Sequence, residues 1–196
     1  MSKKVSATRR NLIEVARMLF ARDGKKEVTM NDIAEASKKG RRTLYTYFNN
    51  KEEIYKAVID AELESVLQRL IVVSQENLEP DAKLNKHITT HLDAIKNVVT
   101  RNGSLRADFF HDIYEVERTR RKIDIKEIML IKQILIDGIE KRVFKRMDVN
   151  MSSMIIFYAI KGLEVPYIRQ NLSEEFEKNK NYIVEFVFQG IKRQKG

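Results

Sequence analysis

The sequence predicts an all-α fold, in which an N-terminal three-helix helix-turn-helix domain precedes a larger C-terminal helical domain. Three observations carry this expectation. The 196 residues include only 7 Gly and 2 Pro, too few turn-formers for a sandwich or barrel of many short strands. Apolar residues recur at steps of three and four, the spacing that draws one stripe along a helix. Two late segments, MSSMIIFYAI and YIVEFVF, are apolar on nearly every side, which suits a helix covered on both faces.

The elements follow in order. From Thr8 to Phe20 the stripe is Leu12, Ile13, Ala16, Leu19 and Phe20, and Gly24 ends it. After Lys25-Lys26, Thr29 is a good N-cap with Asp32 three residues on, and Met30, Ile33 and Ala34 open a second apolar face that runs to Ser37. Gly40 opens a third short helix with Leu44, Tyr47 and Phe48 on one face and Arg41, Arg42, Tyr45 and Thr46 elsewhere. Asn49-Asn50 breaks it. Lys51 then starts a long helix that carries Ile54, Ala57, Val58 and Ala61 and continues past Leu70. Pro80 with Asp81 marks the next start, and Leu84, Ile88, Leu92, Ile95 and Val99 form a stripe that stops at Asn102-Gly103. Ser104 caps a short helix through Tyr114, and a long charged helix covers Glu117 to Phe144 with Ile125, Ile128, Met129, Leu135 and Ile139 inside. The last two helices run from Asn150 to Val165 and from Glu174 to Lys192. One face of each belongs to its own bundle. The other suits a second copy of the chain, through Met151, Met154, Ile155, Tyr158, Phe186 and Val187, with Gly162 permitting close approach. A homodimer is therefore expected.

Composition narrows the class of function. With 43% hydrophobic residues the chain buries one sizeable core, or a small and a medium one. The absence of Cys removes disulfides, thiolate metal sites and a cysteine nucleophile, and fits a reducing cytosol. The start, MSKKVSATRRNL, has no apolar stretch behind it to serve as a signal core, and no segment approaches the roughly 20 apolar residues of a membrane span. A cytoplasmic protein without a membrane partner is expected. Charge is informative by position: residues 1–50 hold twelve Lys and Arg against five acids, which is seven of the nine net positive charges. That quarter of the chain is the part suited to a polyanion.

Two short helices joined by a tight turn, the second exposing basic and aromatic residues, form a helix-turn-helix whose second helix enters the major groove of DNA. Such a helix needs apolar anchors inward, here Leu44 and Phe48, and donors outward. Arginine bonds bidentately to guanine, while Lys, Thr and Tyr mostly hold phosphates. The stretch from Thr8 to Glu62 resembles the N-terminal domain of TetR-type regulators in four parts: Leu19-Phe20-Ala21 with Gly24; Thr29 with Ile33-Ala34; Thr43-Leu44-Tyr45-Thr46-Tyr47-Phe48; and Lys51-Glu52-Glu53. The resemblance covers a little over a quarter of the chain.

It implies roles for particular residues. Thr29 matches a position that caps the second helix and touches a phosphate. Tyr45, Tyr47 and Lys51 match backbone-contact positions, and Arg41, Arg42, Thr43 and Thr46 match positions that read bases or flanking phosphates. Two departures stand out. The family commonly has Gly at Lys38 and a capping Ser or Thr at Gly40, so the turn reads SKKG, and Arg42 replaces a residue that is usually small. The partner implied is a palindromic double-stranded DNA operator bound by a homodimer, with residues 1–50 reading DNA and residues 51–196 binding an effector and dimerising.

Within the C-terminal domain, His87 and His91 are spaced i, i+4 and could chelate a metal from one helix face, but no third ligand at a telling spacing accompanies them. No metal and no cofactor are expected. His91, Ile95, Phe110, Tyr114, Met129 and Phe157 are the candidate lining of a small-molecule cavity, since helical bundles place ligand sites between their helices. An enzyme is not expected: there is no Cys, only 3 His, no Gly-rich phosphate loop and no nucleophile elbow. The expected function is a DNA-binding repressor released by a small-molecule effector. The alternative is a DNA-binding regulator that acts constitutively or through a protein partner, which a closed C-terminal interior would favour.

Overall fold

In the computed structural model, residues 6–102, 113–168 and 185–192 are described, with side chains described for all but 113–119 and 165–168. The helices are α1 (Ala7–Asp23), α2 (Met30–Ala36), α3 (Arg41–Tyr47), α4 (Lys51–Gln75), α5 (Pro80–Arg101), α6 (Ile113–Glu140), α7 (Val149–Ile168) and α8 (185–191). No β-strand occurs among the described residues, so the all-α expectation holds. The short helix expected from Ser104 and the start of the last one, from Glu174, lie outside the described residues.

The chain forms two compact units, Met1–Leu63 with Val98–Arg120, and Glu64–Asn97 with Arg121–Gly196. In the first unit α1 buries Leu12, Ile13, Val15, Ala16 and Phe20, and Ser6 caps it by accepting from the Arg9 amide at 3.2 Å. Gly24 ends it with φ 86°, a conformation open to glycine at little cost, and returns its N–H to Phe20 O. α2 begins in a reciprocal capping box: the Asp32 amide donates to Thr29 Oγ1 at 3.3 Å, and the Thr29 amide donates to Asp32 Oδ2 at 2.7 Å. Asn50 caps α4 in the same way, accepting from the Glu53 amide at 2.9 Å, while Glu53 takes the Asn49 amide at 2.9 Å. Ile33, Ala34, Leu44, Phe48, Ile54 and Val58 complete this core.

The second unit is built on α5, α6, α7 and α8. Its core joins Leu84, Ile88 and Leu92 of α5, Ile131, Ile134 and Leu135 of α6, Ile156, Phe157 and Ile160 of α7, and Phe188 and Ile191 of α8. Two expectations are corrected here. Ile125 and Met129 are not inside: they stand 55% and 64% exposed, because the buried stripe of α6 runs through Glu127, Ile131, Ile134 and Gly138 instead. Apolar residues fall on more than one side of α6 between Ile125 and Ile139, so periodicity could not select the face. Phe144 is not helical either. α6 stops at Glu140, Arg142 takes a left-handed φ of 60°, and the amides of Val143 and Phe144 both return to Gly138 O. The Phe144 ring is buried and stacks on Phe188 with centroids 6.4 Å apart.

Candidate functional site

The turn between α2 and α3 runs Ser37-Lys38-Lys39-Gly40. Lys38 adopts φ 54°, the left-handed geometry that glycine takes without a Cβ clash, so the turn forms with a lysine in a glycine's conformation. Gly40 is the N-cap of α3, extended at φ −63° and ψ 147°, and offers no side chain to the free amides. α3 turns Leu44 and then Phe48 into the core and leaves Arg41, Arg42, Tyr45 and Thr46 exposed, with Thr43 and Tyr47 half-buried. The seven-residue helix thus divides as its sequence proposes.

Each expected DNA-facing residue has a defined state. Arg41 and Arg42 face solvent with no carboxylate partner among the described residues. Thr46 donates its hydroxyl to Arg42 O at 2.9 Å, so its proton is already committed inside the helix. Thr29 likewise gives its hydroxyl proton to Asp32 Oδ2 at 2.7 Å. Lys51 donates to Lys26 O at 3.1 Å and so ties the start of α4 to the α1–α2 link. Close by, Lys25 lies 3.9 Å from the centroid of Tyr55 and pairs with Glu52 at 2.6 Å, and Arg9 lies 4.9 Å from the ring of Phe48. Arg9 on this ring escaped the sequence reading, since cation–π pairing between two helices leaves no spacing signal.

In the second unit His91 is buried and engaged at both ring nitrogens: Nδ1 lies 2.7 Å from Glu127 Oε1 and Nε2 lies 3.0 Å from Glu164 Oε1. His87 Nε2 lies 3.3 Å from the same Glu127 oxygen, and its buried Nδ1 has no hydrogen-bond partner. Between two ionised carboxylates the ring is the imidazolium, which donates from both nitrogens. Burial pulls the His91 pKa down, but Glu127 and Glu164 outweigh it and raise it from 6.5 to about 10. Burial pushes Glu127 up, yet His91 and His87 bring it down from 4.5 to about 2. One helical turn along, Lys161 of α7 pairs with Asp124 of α6. The described residues contain no group of three His, Asp or Glu disposed to hold a metal.

Of the candidate cavity residues, His91, Ile95 and Phe157 are buried in the second unit. Met129 faces outward, Phe110 lies outside the described residues, and the side chain of Tyr114 does too. Glu127 and Glu164, the partners of His91, were missed. The signal available was a glutamate at a stripe position of each helix, but nothing in the sequence says which stripe is buried. A separate cavity of about 780 Å³ opens where α6 gives way to α7, lined by Ile139, Glu140, Arg142, Phe144, Lys145 and Arg146.

Comparison with known proteins agrees with this geometry. The model of the family described as bacterial regulatory proteins, tetR family, matches residues 12–58, from the first buried residue of α1 into α4. The chain is 24% identical over 193 residues to the HTH-type transcriptional regulator YhgD of Bacillus subtilis, covering 95% of this chain and 98% of that one. A transcriptional regulator from Cytophaga hutchinsonii shares the fold with a TM-score of 0.80 at 21% identity, over 96% of this chain and all of that chain. The regulator FadR of Bacillus subtilis, solved in complex with stearoyl-CoA, does so with a TM-score of 0.69 at 19% identity, over 91% and 96% of the two chains. No described helix is long and apolar enough to cross a membrane. With the four-part motif folded as a helix-turn-helix, and with the tetR model lying on that same segment, residues 12–58 form a helix-turn-helix domain of the tetR type, and the chain as a whole is similar to HTH-type transcriptional regulators.

Proposed function

We propose that the protein is a cytoplasmic homodimeric repressor that binds a palindromic operator through residues 1–50 and is released by a small-molecule effector bound within residues 51–196. The observation that carries the dimer is the two-faced packing of α7. Ser153, Ile156, Phe157 and Ile160 face the core, while Met151, Met154, Ile155 and Tyr158 stand 43–61% exposed at helical spacing, and Phe186 of α8 stands 70% exposed. A contiguous apolar face of this kind marks an interaction surface. A Cβ added at Gly162, one turn beyond Tyr158, would meet nothing within 4 Å, so this end of the face stays open to a partner helix.

Two copies related by a two-fold axis present two α3 helices, which suits half-sites about one helical turn apart or a small multiple of that. Arg41, Arg42, Thr43 and Tyr45 are the residues that reach DNA from α3, with Tyr47 and Lys51 on the flanking phosphates, where Thr29 and Thr46 join them once their hydroxyl protons leave Asp32 Oδ2 and Arg42 O. For the effector, the buried polar group around His91 gives a bundle interior a point of recognition, with Ile95 and Phe157 buried in the same unit. FadR of Bacillus subtilis, with the same fold, holds stearoyl-CoA. The second reading, control without a small molecule, draws on one observation: both nitrogens of His91 already have partners. Sedimentation at micromolar concentration and footprinting on the upstream intergenic DNA test the proposal together. A dimer protecting a two-fold-symmetric site supports it; a monomer, or a single asymmetric footprint, overturns it.

A further inference from the structure

Glu62 is a carboxylate only 2% exposed, in the first unit, three turns along α4 from the recognition helix. Burying such a group costs heavily unless it is paired and fully hydrogen-bonded. Its partners come from two other helices of the same unit. Arg101, the last residue of α5, donates from Nε at 2.9 Å and from Nη2 at 2.5 and 2.6 Å, a bidentate fork. Asn102 Nδ2 donates at 3.2 Å, and from α1 the Arg17 Nε stands 3.9 Å away. Arg17 closes the ring: it is held by Glu14 at 2.6 Å and donates from Nη1 to Arg101 O at 3.4 Å. One buried carboxylate therefore fastens the end of α5 to both α4 and α1, the two helices that frame the helix-turn-helix.

We propose that Glu62 is a positioning residue for DNA recognition, a latch whose pairing with Arg101, Asn102 and Arg17 sets the helix-turn-helix against the end of α5 and thereby fixes the separation of the two recognition helices. This rests on the dimeric, operator-binding reading above. Arg101 is the last residue of α5, which is unbroken from Pro80, so the residue that grips Glu62 is held at a helix end and not on a loose loop. The bland alternative is a structural ion pair that does no more than hold the fold.

Charge separates the two. Glu62→Gln raises the net charge of a DNA-binding unit by one, and simple attraction to phosphate then makes it bind every duplex more tightly. The latch requires the opposite for the operator. Wild type, Glu62→Gln, Arg101→Ala and, as a control, the exposed Arg121→Ala are titrated with operator, scrambled duplex, and operators whose half-site spacing is changed by one and two base pairs. Thermal melting is recorded for each. The expected result is that Glu62→Gln lowers the ratio of operator to scrambled affinity by about tenfold, within the usual range of coupling between sites, and flattens the dependence on spacing, while Arg121→Ala leaves both as in wild type. If Glu62→Gln does not fold, Arg101→Lys, titrated in the same way, decides, since it keeps a cation beside the buried carboxylate and breaks only the bidentate fork. Wild-type ratios and an unchanged spacing optimum in the folded variants overturn the latch. A wild-type protein indifferent to spacing overturns the dimeric reading instead, and the latch is then judged on the operator-to-scrambled ratio alone.

Discussion

Phe144 closes over Gly138: a Cβ built on this glycine would lie 2.0 Å from Cδ2 of the ring and 2.4 Å from Cε2. The contact is possible only because position 138 lacks a side chain, and it fills the end of the α6–α7–α8 core with an aromatic stack onto Phe188. Gly138→Ala in most helices would stabilise by about 1 kcal/mol through propensity. Here the methyl group evicts a buried ring, and overpacking of this kind costs about 1–3 kcal/mol. Gly138→Ala is expected to lower the melting temperature, and Gly138→Ala with Phe144→Ala to recover helix propensity while losing the ring. A rise in stability for Gly138→Ala alone would show that the ring is not held where it lies.

The helix-turn-helix departs from its family pattern at two positions that the structure makes costly. Lys38 sits at φ 54°, where a non-glycine residue is strained by about 1–2 kcal/mol. Gly40 sits at φ −63° with open space for a Cβ, in a conformation that any residue adopts. Lys38→Gly should therefore raise stability by about 1 kcal/mol, and Gly40→Ser by about 0.5–1 kcal/mol through a cap bond and a stiffer unfolded chain. Thermal unfolding of the double variant checks this; melting at or below the wild-type temperature would refute it.

What the sequence disclosed follows from where its signals are local. The caps Thr29 and Asn50 and the turn at Gly24 act within four residues, so α1 to α4 were legible to within a few positions. The Phe48 anchor followed from spacing alone. Glu62 and Glu127 did not, because each is made tolerable in the core by partners 36 to 40 residues away. Periodicity failed on α6 too: the buried face carries Ile131, Ile134 and Leu135 together with Glu127, which pairs with His91, while Ile125 and Met129 lie outside.

The His91–Glu127 pair gives the second unit a pH signature. His91 is raised from 6.5 to about 10 when folded, so its contribution is complete below pH 6.5 and is lost as pH rises toward 10. Glu127 is lowered from 4.5 to about 2, so its contribution is complete above pH 4.5 and is lost as pH falls toward 2. Between these limits both are charged and paired. The stability difference between wild type and His91→Gln should be greatest near pH 5.5 and shrink above pH 6.5 by up to about 1.4 kcal/mol per pH unit. Chemical denaturation at pH 5.5, 7.5 and 9 measures it. A difference that does not change with pH would mean that His91 has the same pKa folded and unfolded, and one that moves in favour of wild type from pH 5.5 to 7.5 that it is neutral in the folded protein.

The arginines that open α3 should differ from Lys51 in what their loss does. All three bring positive charge to the proposed DNA face, so each change to Ala weakens binding by removing attraction to phosphate. Arg41 and Arg42 are exposed at the helix end that such motifs push against base edges, and neither has a carboxylate partner among the described residues. A bidentate contact to guanine is worth about 1–3 kcal/mol of discrimination. The Lys51 ammonium, by contrast, is already bonded to Lys26 O at 3.1 Å beside the α1–α2 link, and the resemblance to TetR-type regulators implies a backbone contact there. At least one of Arg41→Ala and Arg42→Ala should narrow the gap between operator and scrambled DNA, whereas Lys51→Ala should weaken both alike and lower the salt slope by about one unit. Titrations of the three variants against both duplexes at two salt concentrations separate these outcomes. Equal loss on both duplexes for both arginines would show that they position the protein without reading it. Base reading would then fall to Thr43 and Tyr45 ahead of Thr46, whose hydroxyl proton is held by Arg42 O at 2.9 Å.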